Sequence, residues 1–501
     1  MTTAVGPEVS PARSIKSRGQ AASKRPVFSP NFDANALAQR PRPISRSTSS
    51  LSIPFDDKDV DVLGECLATS IGGSRWLSAC KLWRSIARLN GNLVCRTDIY
   101  SFGLFLTNFS VPRRYKTSAF AEQLLSIIHT LRLPVWCNHE ITPQTLKIQK
   151  VSGSLTNAVF FVSNPSIPHA PILLLRIYGP SSGSLISRPR ELHTLHILSS
   201  QYHIGPKVYG TFENGRVEEY FESTALTAED MRDPVISSWI GARMAELHQV
   251  DAAAIEAQTP PATPTCDDDI SQVGVKNNIK SWIGAARDVL ALPAVSEQLR
   301  NALDLDTFMQ EWGRYMNWIS DFEAQAGASS VVFCHNDTQY GNLLRMTSLK
   351  PGVPEHRQLI GCLLQIIVVD FEYASANPAA FDIANHFHEW TANYHGDDPH
   401  LLRADRYPTQ AERYNFYAAY LTHYDPSCAG ISRKALEAKM KLLDQQVRAW
   451  SPASHAMWAV WGIVQAREAL EGKDGEPEFD YIGYSRGRME AFRRGIRALL
   501  V

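Results

Sequence analysis

The sequence has few features of a secreted, membrane-spanning or nucleic-acid-binding protein. Its eight cysteines include no CxxC pair and no metal-ligand spacing, so they predict free thiols in a reducing compartment. No apolar run approaches the roughly 20 residues that a membrane span needs, and the first residues lack an apolar signal core. A formal net charge of −1 gives no general reason to bind nucleic acid or an anionic membrane. We therefore expect a cytoplasmic protein without a nucleic-acid partner or a transmembrane segment.

Acidic and apolar residues are also scarce at the amino-terminal end. Residues 1–58 are rich in Ser, Pro and Arg, and only Glu8 and Asp33 supply acids before Ser52, which predicts a disordered tail. Residues 59–115 have no clear period and form a poorly defined segment. Two interpretations of that segment stay open: a poorly ordered insertion, or sequence translated from an unspliced intron.

The rest of the chain changes from strand patterns to helix patterns near Glu222. Apolar alternation in TLKIQKVSG, TNAVFFVS and PILLLRIYG predicts an antiparallel meander within residues 116–221, and Asn214-Gly215 predicts a hairpin turn. Residues 222–501 are mostly helical in pattern. We therefore predict an α+β fold with two lobes, an antiparallel-sheet lobe and a mostly helical lobe, as in protein-kinase-like enzymes. Fold alone fixes no function.

The segment V-V-F-C-H-N-D-T-Q-Y-G-N-L-L-R joins a buried strand pattern to a polar loop. Asp337 follows His335 and Asn336, and Asn342 stands five residues after Asp337, a spacing that resembles a kinase catalytic loop. Phosphoryl transfer to an alcohol needs a carboxylate beside the attacking hydroxyl and a neutral oxygen ligand for magnesium. Asp337 and Asn342 have these chemistries. By itself, the segment fits a capped turn equally well.

A second segment, L-L-Q-I-I-V-V-D-F-E-Y, ends an apolar run in Asp370 and Glu372. Carboxylates at the end of a buried strand are costly unless they are paired or bind a metal. Asp370 stands where the Asp-Phe-Gly aspartate of kinases holds magnesium, with Glu372 in place of the glycine. A strand-end ion pair is the alternative. The two segments in this order are more specific than either one.

The strand-rich half offers a turn and a buried charge. Small residues in V-S-G-S-L-T-N-A-V-F allow backbone N–H groups to approach phosphate oxygens, although an ordinary hairpin has the same pattern. Arg176 interrupts the apolar strand P-I-L-L-L-R-I-Y-G and needs a partner if it is buried. Glu191, on the following predicted helix, is the candidate, by analogy with the Lys–Glu pair of protein kinases. An exposed edge-strand arginine is the alternative.

From about Gln144 to its end, the chain resembles choline kinases, most closely the fungal ones. The resemblance is carried by H-N-D-T-Q-Y-G-N, D-F-E-Y-A-S-A-N-P-A-A-F-D-I-A-N-H-F-H-E-W and S-H-A-M-W-A-V-W-G-I-V-Q-A. It implies transfer of the γ-phosphoryl group of ATP to choline with Mg²⁺, the first step of the CDP-choline route to phosphatidylcholine. A homodimer is a further expectation from the family.

The resemblance also assigns roles to individual residues. Asp337 is the expected catalytic base, Gln339 and Asn342 would support phosphate and metal, and Asp370 would bind Mg²⁺. The backbone of Glu219, Tyr220 and Phe221 would meet adenine. The expected ATP-binding residues are Ser152, Gly153, Ser154, Thr156, Asn157, Arg176, Glu191, Glu219 and Phe221. By contrast, His335, His386 and Asp382 are expected to brace the catalytic loop or its neighbouring helix.

Choline poses a separate problem, because a quaternary ammonium donates no hydrogen bond and is best held by aromatic faces and a nearby carboxylate. Asn385 and Glu389 lie at i, i+4 on one predicted helix, and Trp458 and Trp461 lie at i, i+3 on a later one. Without the family, two such tryptophans indicate core packing. With it, the expected choline site comprises Glu389, Tyr394, Trp458, Trp461, Phe479 and Tyr484.

Three other functions remain open from the sequence. The same site could accept the protonated amine of ethanolamine, so an ethanolamine kinase or a dual-specificity enzyme is the first alternative. An inactive kinase-like scaffold should have lost Asp337, Asn342 or Asp370, and all three are present. An aminoglycoside phosphotransferase should line its acceptor site with acids in place of tryptophans.

Overall fold

The computed structural model describes residues 106–107, 116–133, 135–151, 157–178, 185, 187–257, 273–347, 366–472 and 479–500. The predicted tail at 1–58, nearly all of the 59–115 segment and the turn residues 152–156 lie outside these ranges. All elements below belong to the described part of the chain.

A six-stranded sheet forms the first lobe. Its spatial order is β1-β5-β6-β4-β3-β2; β1 pairs with β5 in parallel, and the other neighbours are antiparallel. The predicted meander and the hairpin at Asn214-Gly215 are confirmed. The strands are β1 (Leu106–Thr107), β2 (Lys147–Val151), β3 (Asn157–Ser163), β4 (Leu173–Tyr178), β5 (Val208–Phe212) and β6 (Gly215–Glu219).

Two helices accompany this sheet. Helix α1 (Ser118–Thr130) begins at Thr117, whose side chain accepts a hydrogen bond from Phe120 N, and it buries one apolar face against the sheet. Helix α2 (Arg188–Ile197) follows β4 and carries Glu191 in its first turn. The sheet and α1 share an apolar core that includes Phe120, Phe160 and Leu175.

Five short strands form two small sheets that follow the first lobe in the described part of the chain. Strand β7 (Ser223–Ala225) pairs with β9 (Leu343–Met346), which pairs with β10 (Ile366–Val368). Strand β8 (Val331–Cys334) pairs with β11 (Ser375–Pro378). The strands predicted near the two carboxylate-bearing segments are therefore confirmed. In both segments a strand is followed directly by a loop, and these loops carry the polar residues of the two motifs.

Helices make up the rest of the second lobe. The long helix Arg433–Gln465 packs against the helices Gly274–Leu290, Ala379–Glu389 and Tyr481–Leu499, and its buried side chains extend from Met440 to Gln465. The helices are α3 (Pro234–His248), α4 (Ala252–Ala257), α5 (Gly274–Leu290), α6 (Glu297–Leu303), α7 (Leu305–Ala326), α8 (Ala379–Glu389), α9 (Gln410–Tyr424), α10 (Arg433–Gln465), α11 (Arg467–Leu470) and α12 (Tyr481–Leu499). Within the described ranges, no helix combines the length and apolarity needed to cross a membrane. The predicted α+β, two-lobed fold is confirmed.

Candidate active site

One buried aspartate holds the loop after β8 through hydrogen bonds to its backbone. Asp382, in the first turn of α8, accepts hydrogen bonds from His335 N at 2.9 Å and Asn336 N at 2.8 Å. Its Oδ2 also lies 3.1 Å from His248 Nε2. Asn336 has φ +65°, a left-handed conformation that asparagine tolerates better than most residues. The expectation that Asp382 orients this loop is confirmed, and the loop presents Asp337.

Asp337 and Asn342 lie in direct contact. Asn342 Nδ2 donates to both the backbone oxygen and Oδ2 of Asp337, each at 2.9 Å. Burial raises the pKa of the Asp337 carboxyl well above its ordinary value, and the carboxylates of Glu389, Asp370 and Glu372 raise it further. A carboxylate in this position is a strong proton acceptor once it is ionised. The loop thus brings the Asp337 carboxyl and the Asn342 amide together, while their roles as base and metal ligand stay predictions.

Gln339 has a local contact in the structure. Its Oε1 accepts a hydrogen bond from Gly341 N at 2.7 Å and so begins the short turn Tyr340–Asn342. The predicted contact of Gln339 with phosphate or metal stays a prediction.

The histidines of the site brace backbone, as expected. His335 Nε2 donates to Val369 O at 3.0 Å, and His386 Nδ1 donates to Thr338 O at 2.8 Å. Burial lowers the pKa of His386 to about 4 and that of His388 to about 3. Burial also lowers the pKa values of His335 and His455. These rings are neutral in the folded protein at neutral pH.

We expect the free energy of unfolding to fall as the pH decreases from about 6.5 toward 4, because the unfolded chain takes up protons that the folded protein refuses. Each such histidine contributes stability that is complete above pH 6.5 and declines by about 1.4 kcal/mol per pH unit below it. Urea unfolding at pH 7, 6 and 5 measures the slope. His388→Gln, whose amide can still reach Ser451 Oγ, should have a shallower slope; an unchanged slope would contradict this account.

Asp370 has the environment of a metal ligand. It has φ +72°, its Oδ2 accepts from Arg176 Nη1 at 3.0 Å, and its Oδ1 is buried and accepts no hydrogen bond in the described structure. Ligand oxygens of Asp370, Glu372 and Glu191 all lie within 4.8 Å of one another. Carboxylate oxygens are the ligands that hard divalent cations prefer. These residues therefore fit a divalent metal, and Asp370 Oδ1 is the oxygen that is available as a ligand atom.

The charges around Asp370 are balanced by arginines. Burial opposes ionisation of Asp370, but Arg176 and Arg216 outweigh it and hold its pKa below the ordinary value. Burial, together with the carboxylates of Asp370 and Glu191, raises the pKa of Glu372 to about 7. A cation bound nearby would favour the ionised form of Glu372 and lower its pKa.

The direct ion pairs differ from the pairing that we expected, and Arg176 acts on Glu191 only at longer range, as one of the arginines that hold the pKa of Glu191 below its ordinary value despite burial. Glu191 pairs with Arg188 at 2.5 Å and with Arg216 at 2.6 Å, while Arg176 pairs with Asp370 and lies 4.0 Å from Glu218. The physical reason is the sheet register, which sets Arg216 directly opposite Arg176 and gives Glu191 a nearer cation.

Arg188 and Arg216 were missed at the sequence level. Arg188 Nη1 lies 3.2 Å from Glu372, and its guanidinium carbon is 4.4 Å from the Tyr178 ring centroid. Arg216 is a charge in a strand whose first four residues are buried. That charge was a usable signal, as it was for Arg176.

The predicted nucleotide residues are only partly described. Ser152, Gly153, Ser154 and Thr156 lie outside the described residues. Asn157 begins β3, and its Oδ1 lies 3.4 Å from Arg188 Nη2. Glu219 ends β6, and Phe221 lies in the connection between β6 and β7, where the Tyr220 ring packs on Phe161 with centroids 4.9 Å apart. This connection joins the two lobes.

The predicted aromatic residues meet in one cluster. The rings of Trp458 and Trp461 are 5.2 Å apart and nearly perpendicular, and Tyr484 lies 6.0 Å from Trp461. Phe479 lies 5.6 Å from Tyr484 and 6.4 Å from Tyr394. Tyr340, Tyr373 and Tyr481 also belong to the cluster and were not predicted. We call these eight rings the aromatic cluster.

Hydrogen bonds connect the aromatic cluster to the loops that carry Asp337 and Asp370. Trp461 Nε1 donates to Tyr373 OH at 2.7 Å, and Tyr373 is three residues after Asp370. Trp458 Nε1 donates to Asn385 Oδ1 at 2.8 Å, while Asn385 Nδ2 donates to Asn336 O at 3.0 Å. The cluster therefore adjoins the loop that carries Asp337.

Fold and loop chemistry together define a class: an ATP-dependent phosphotransferase with the protein-kinase-like fold. Residues 148–493 match the sequence profile of the family described as Choline/ethanolamine kinase. The chain belongs to the choline/ethanolamine kinase family, which confirms the resemblance seen in the sequence.

Relatives agree with this assignment. The choline kinase of Schizosaccharomyces pombe is 34% identical over 434 residues, which cover 76% of this chain and 90% of that protein. The choline kinase of Saccharomyces cerevisiae is 32% identical over 404 residues, which cover 73% of this chain and 66% of that protein. A crystal structure of choline kinase from Cryptosporidium parvum has a TM-score of 0.57 at 22% identity, covers 76% of this chain and 96% of its own, and supports the fold.

Proposed function

We propose that this protein is a choline kinase, which transfers the γ-phosphoryl group of ATP to the hydroxyl of choline and yields phosphocholine and ADP. The observation that carries the proposal is the aromatic cluster, with Glu389 at its side, next to the loop of Asp337. Aromatic faces attract a quaternary ammonium that cannot donate a hydrogen bond. The curated fungal relatives named choline kinase support the same substrate.

Different residues would serve proton transfer, phosphate binding, metal binding and adenine binding. The choline oxygen attacks the γ-phosphorus, the bond to the ADP oxygen breaks, and Asp337 takes the hydroxyl proton. Arg176 and the 152–157 turn would hold phosphate oxygens. Asp370 and Asn342 would hold Mg²⁺, which neutralises phosphate charge when bound. The backbone of Glu219 to Phe221 would meet adenine.

Ethanolamine is the second candidate acceptor, and one observation favours it. The aromatic cluster adjoins the loop of Asp337, and aromatic faces attract a protonated primary amine as well as a quaternary ammonium. A dual choline and ethanolamine kinase would use the same base and the same metal ligands.

Phosphorus NMR of the products, with ATP and Mg²⁺ and either choline, ethanolamine or a polyamino sugar as acceptor, tests the proposal. We expect phosphocholine and the largest kcat/KM with choline. A larger kcat/KM with ethanolamine would reverse the order of the two acceptors. Phosphorylation of the polyamino sugar alone would overturn the proposal, and an inactive protein would favour the scaffold interpretation.

The cellular setting follows from this function as part of the proposal. The enzyme would catalyse the first step of the CDP-choline route to phosphatidylcholine in the cytosol. It would also form a homodimer. Sedimentation of the purified chain tests the dimer, because a monomer at micromolar concentration would contradict it.

A further inference from the structure

Arg488 is a fully buried charge beside the aromatic cluster. It lies on α12, is 1% exposed, and its Nη2 donates to Glu389 Oε1 at 2.9 Å. Its guanidinium carbon is 5.0 Å from the Tyr484 ring centroid, and its Nη1 is 3.4 Å from His455 Nδ1. Among the described residues, Glu389 is the one carboxylate that pairs with Arg488. The arginine is thus committed to the carboxylate that is expected to face the substrate cation.

The second oxygen of Glu389 is also engaged. Tyr394 OH donates to Glu389 Oε2 at 2.6 Å. The two donors come from different parts of the chain, Arg488 from α12 and Tyr394 from the segment after α8. Both carboxylate oxygens are therefore held by protein donors, and the charge of Glu389 is compensated inside the protein.

This arrangement treats the two amino alcohols differently. A primary ammonium has three N–H donors that lose water on binding and need new acceptors, whereas a trimethylammonium group has none. Arg488 compensates the charge of Glu389, and each of its oxygens already accepts one hydrogen bond, so the carboxylate attracts a further N–H donor less strongly than a free carboxylate would. Aromatic faces remain available to either cation, and they suit the quaternary one better.

We propose that Arg488, with the Tyr394 hydroxyl, is a specificity-determining residue: by holding Glu389 it makes the site select a quaternary ammonium over a primary one. The inference deepens the proposed function and rests on it. Arg488 does not contact the reacting atoms, so its effect belongs to acceptor choice and not to the chemical step.

Removing the guanidinium should change acceptor choice in a defined direction. In Arg488→Met, Glu389 Oε1 becomes free and its charge uncompensated. Both cations are then attracted, but only ethanolamine gains a hydrogen bond to a carboxylate. We expect the ratio of kcat/KM for choline to kcat/KM for ethanolamine to fall about 10-fold or more, since a hydrogen bond to a charged group is worth that much.

The test measures both acceptors on the same preparation of each variant, so that a loss of folded protein cancels from the ratio. Arg486→Met, the same substitution at an exposed position of α12, is the matched control and should keep the parental ratio. Tyr394→Phe removes one hydrogen bond to Glu389 without a change of charge and should also lower the ratio. Arg488→Lys, which restores a cation, should return most of the preference for choline.

The outcomes separate this inference from the proposed function. A lower ratio in Arg488→Met and Tyr394→Phe, with the parental ratio in Arg486→Met, supports the role of Arg488. An unchanged ratio in Arg488→Met overturns the role of Arg488. If Arg488→Met does not fold, an unchanged ratio in Tyr394→Phe overturns that role instead. Failure of the parent enzyme to make phosphocholine would instead overturn the proposed function, and this inference with it.

Discussion

Replacing Asp337 with asparagine should lower kcat for phosphocholine formation about 10²-fold or more, while the KM for choline changes much less. The amide has the size of the carboxyl and can still accept the hydrogen bond from Asn342 Nδ2. It cannot take the hydroxyl proton as the choline oxygen attacks phosphorus. Initial rates at saturating ATP and Mg²⁺, with choline varied, give both constants.

Asp288→Asn is the matched control, because Asp288 is exposed on α5 and the substitution removes the same charge. It should leave kcat at the parental value. The thermal unfolding midpoint of each variant shows whether the fold is intact. A kcat near that of the parent in Asp337→Asn would mean that another group, or solvent, accepts the proton, and the assignment of the base would be wrong.

The two carboxylate-bearing loops were predictable because each is specified by residues that are close together in the sequence. Asp337 and Asn342 are five residues apart on one loop, and Asp370 ends the apolar run that forms β10. A buried strand followed by a polar loop appears in the sequence as an apolar run followed directly by polar residues. The family resemblance then supplied roles that spacing alone left open between catalysis and a capped turn.

The charge partners were not predictable, because they depend on long-range packing. Arg176 was predicted to pair with Glu191, but the register between β4 and β6 sets Arg216 opposite Arg176. Arg488 meets a carboxylate 99 residues earlier in the chain. Its sequence setting, Y-S-R-G-R-M-E, resembles any charged surface helix. Only the fold reveals which of these arginines is buried.

Replacing Asp370 with asparagine should remove the response of the protein to a metal nucleotide complex. We expect kcat to fall about 10³-fold or more, because the substitution removes the charge that, under the proposed function, holds the cation against the phosphates. A readout without turnover is the rise in thermal midpoint on adding Mg²⁺ and ADP, which follows from binding to the folded state. That rise should be large in the parent and nearly absent in Asp370→Asn.

The ligand-free protein should respond differently to this substitution. Asp370→Asn weakens the pair with Arg176, which still has Glu218 at 4.0 Å. It also removes the repulsion by Asp370, which adds to burial in raising the pKa of Glu372. Because these effects oppose each other, the midpoint without ligand should shift little, and Asp288→Asn should match the parent in both conditions. An undiminished ligand-induced rise in Asp370→Asn would assign the cation to other donors, with Glu372 and Asn342 the next to be tested.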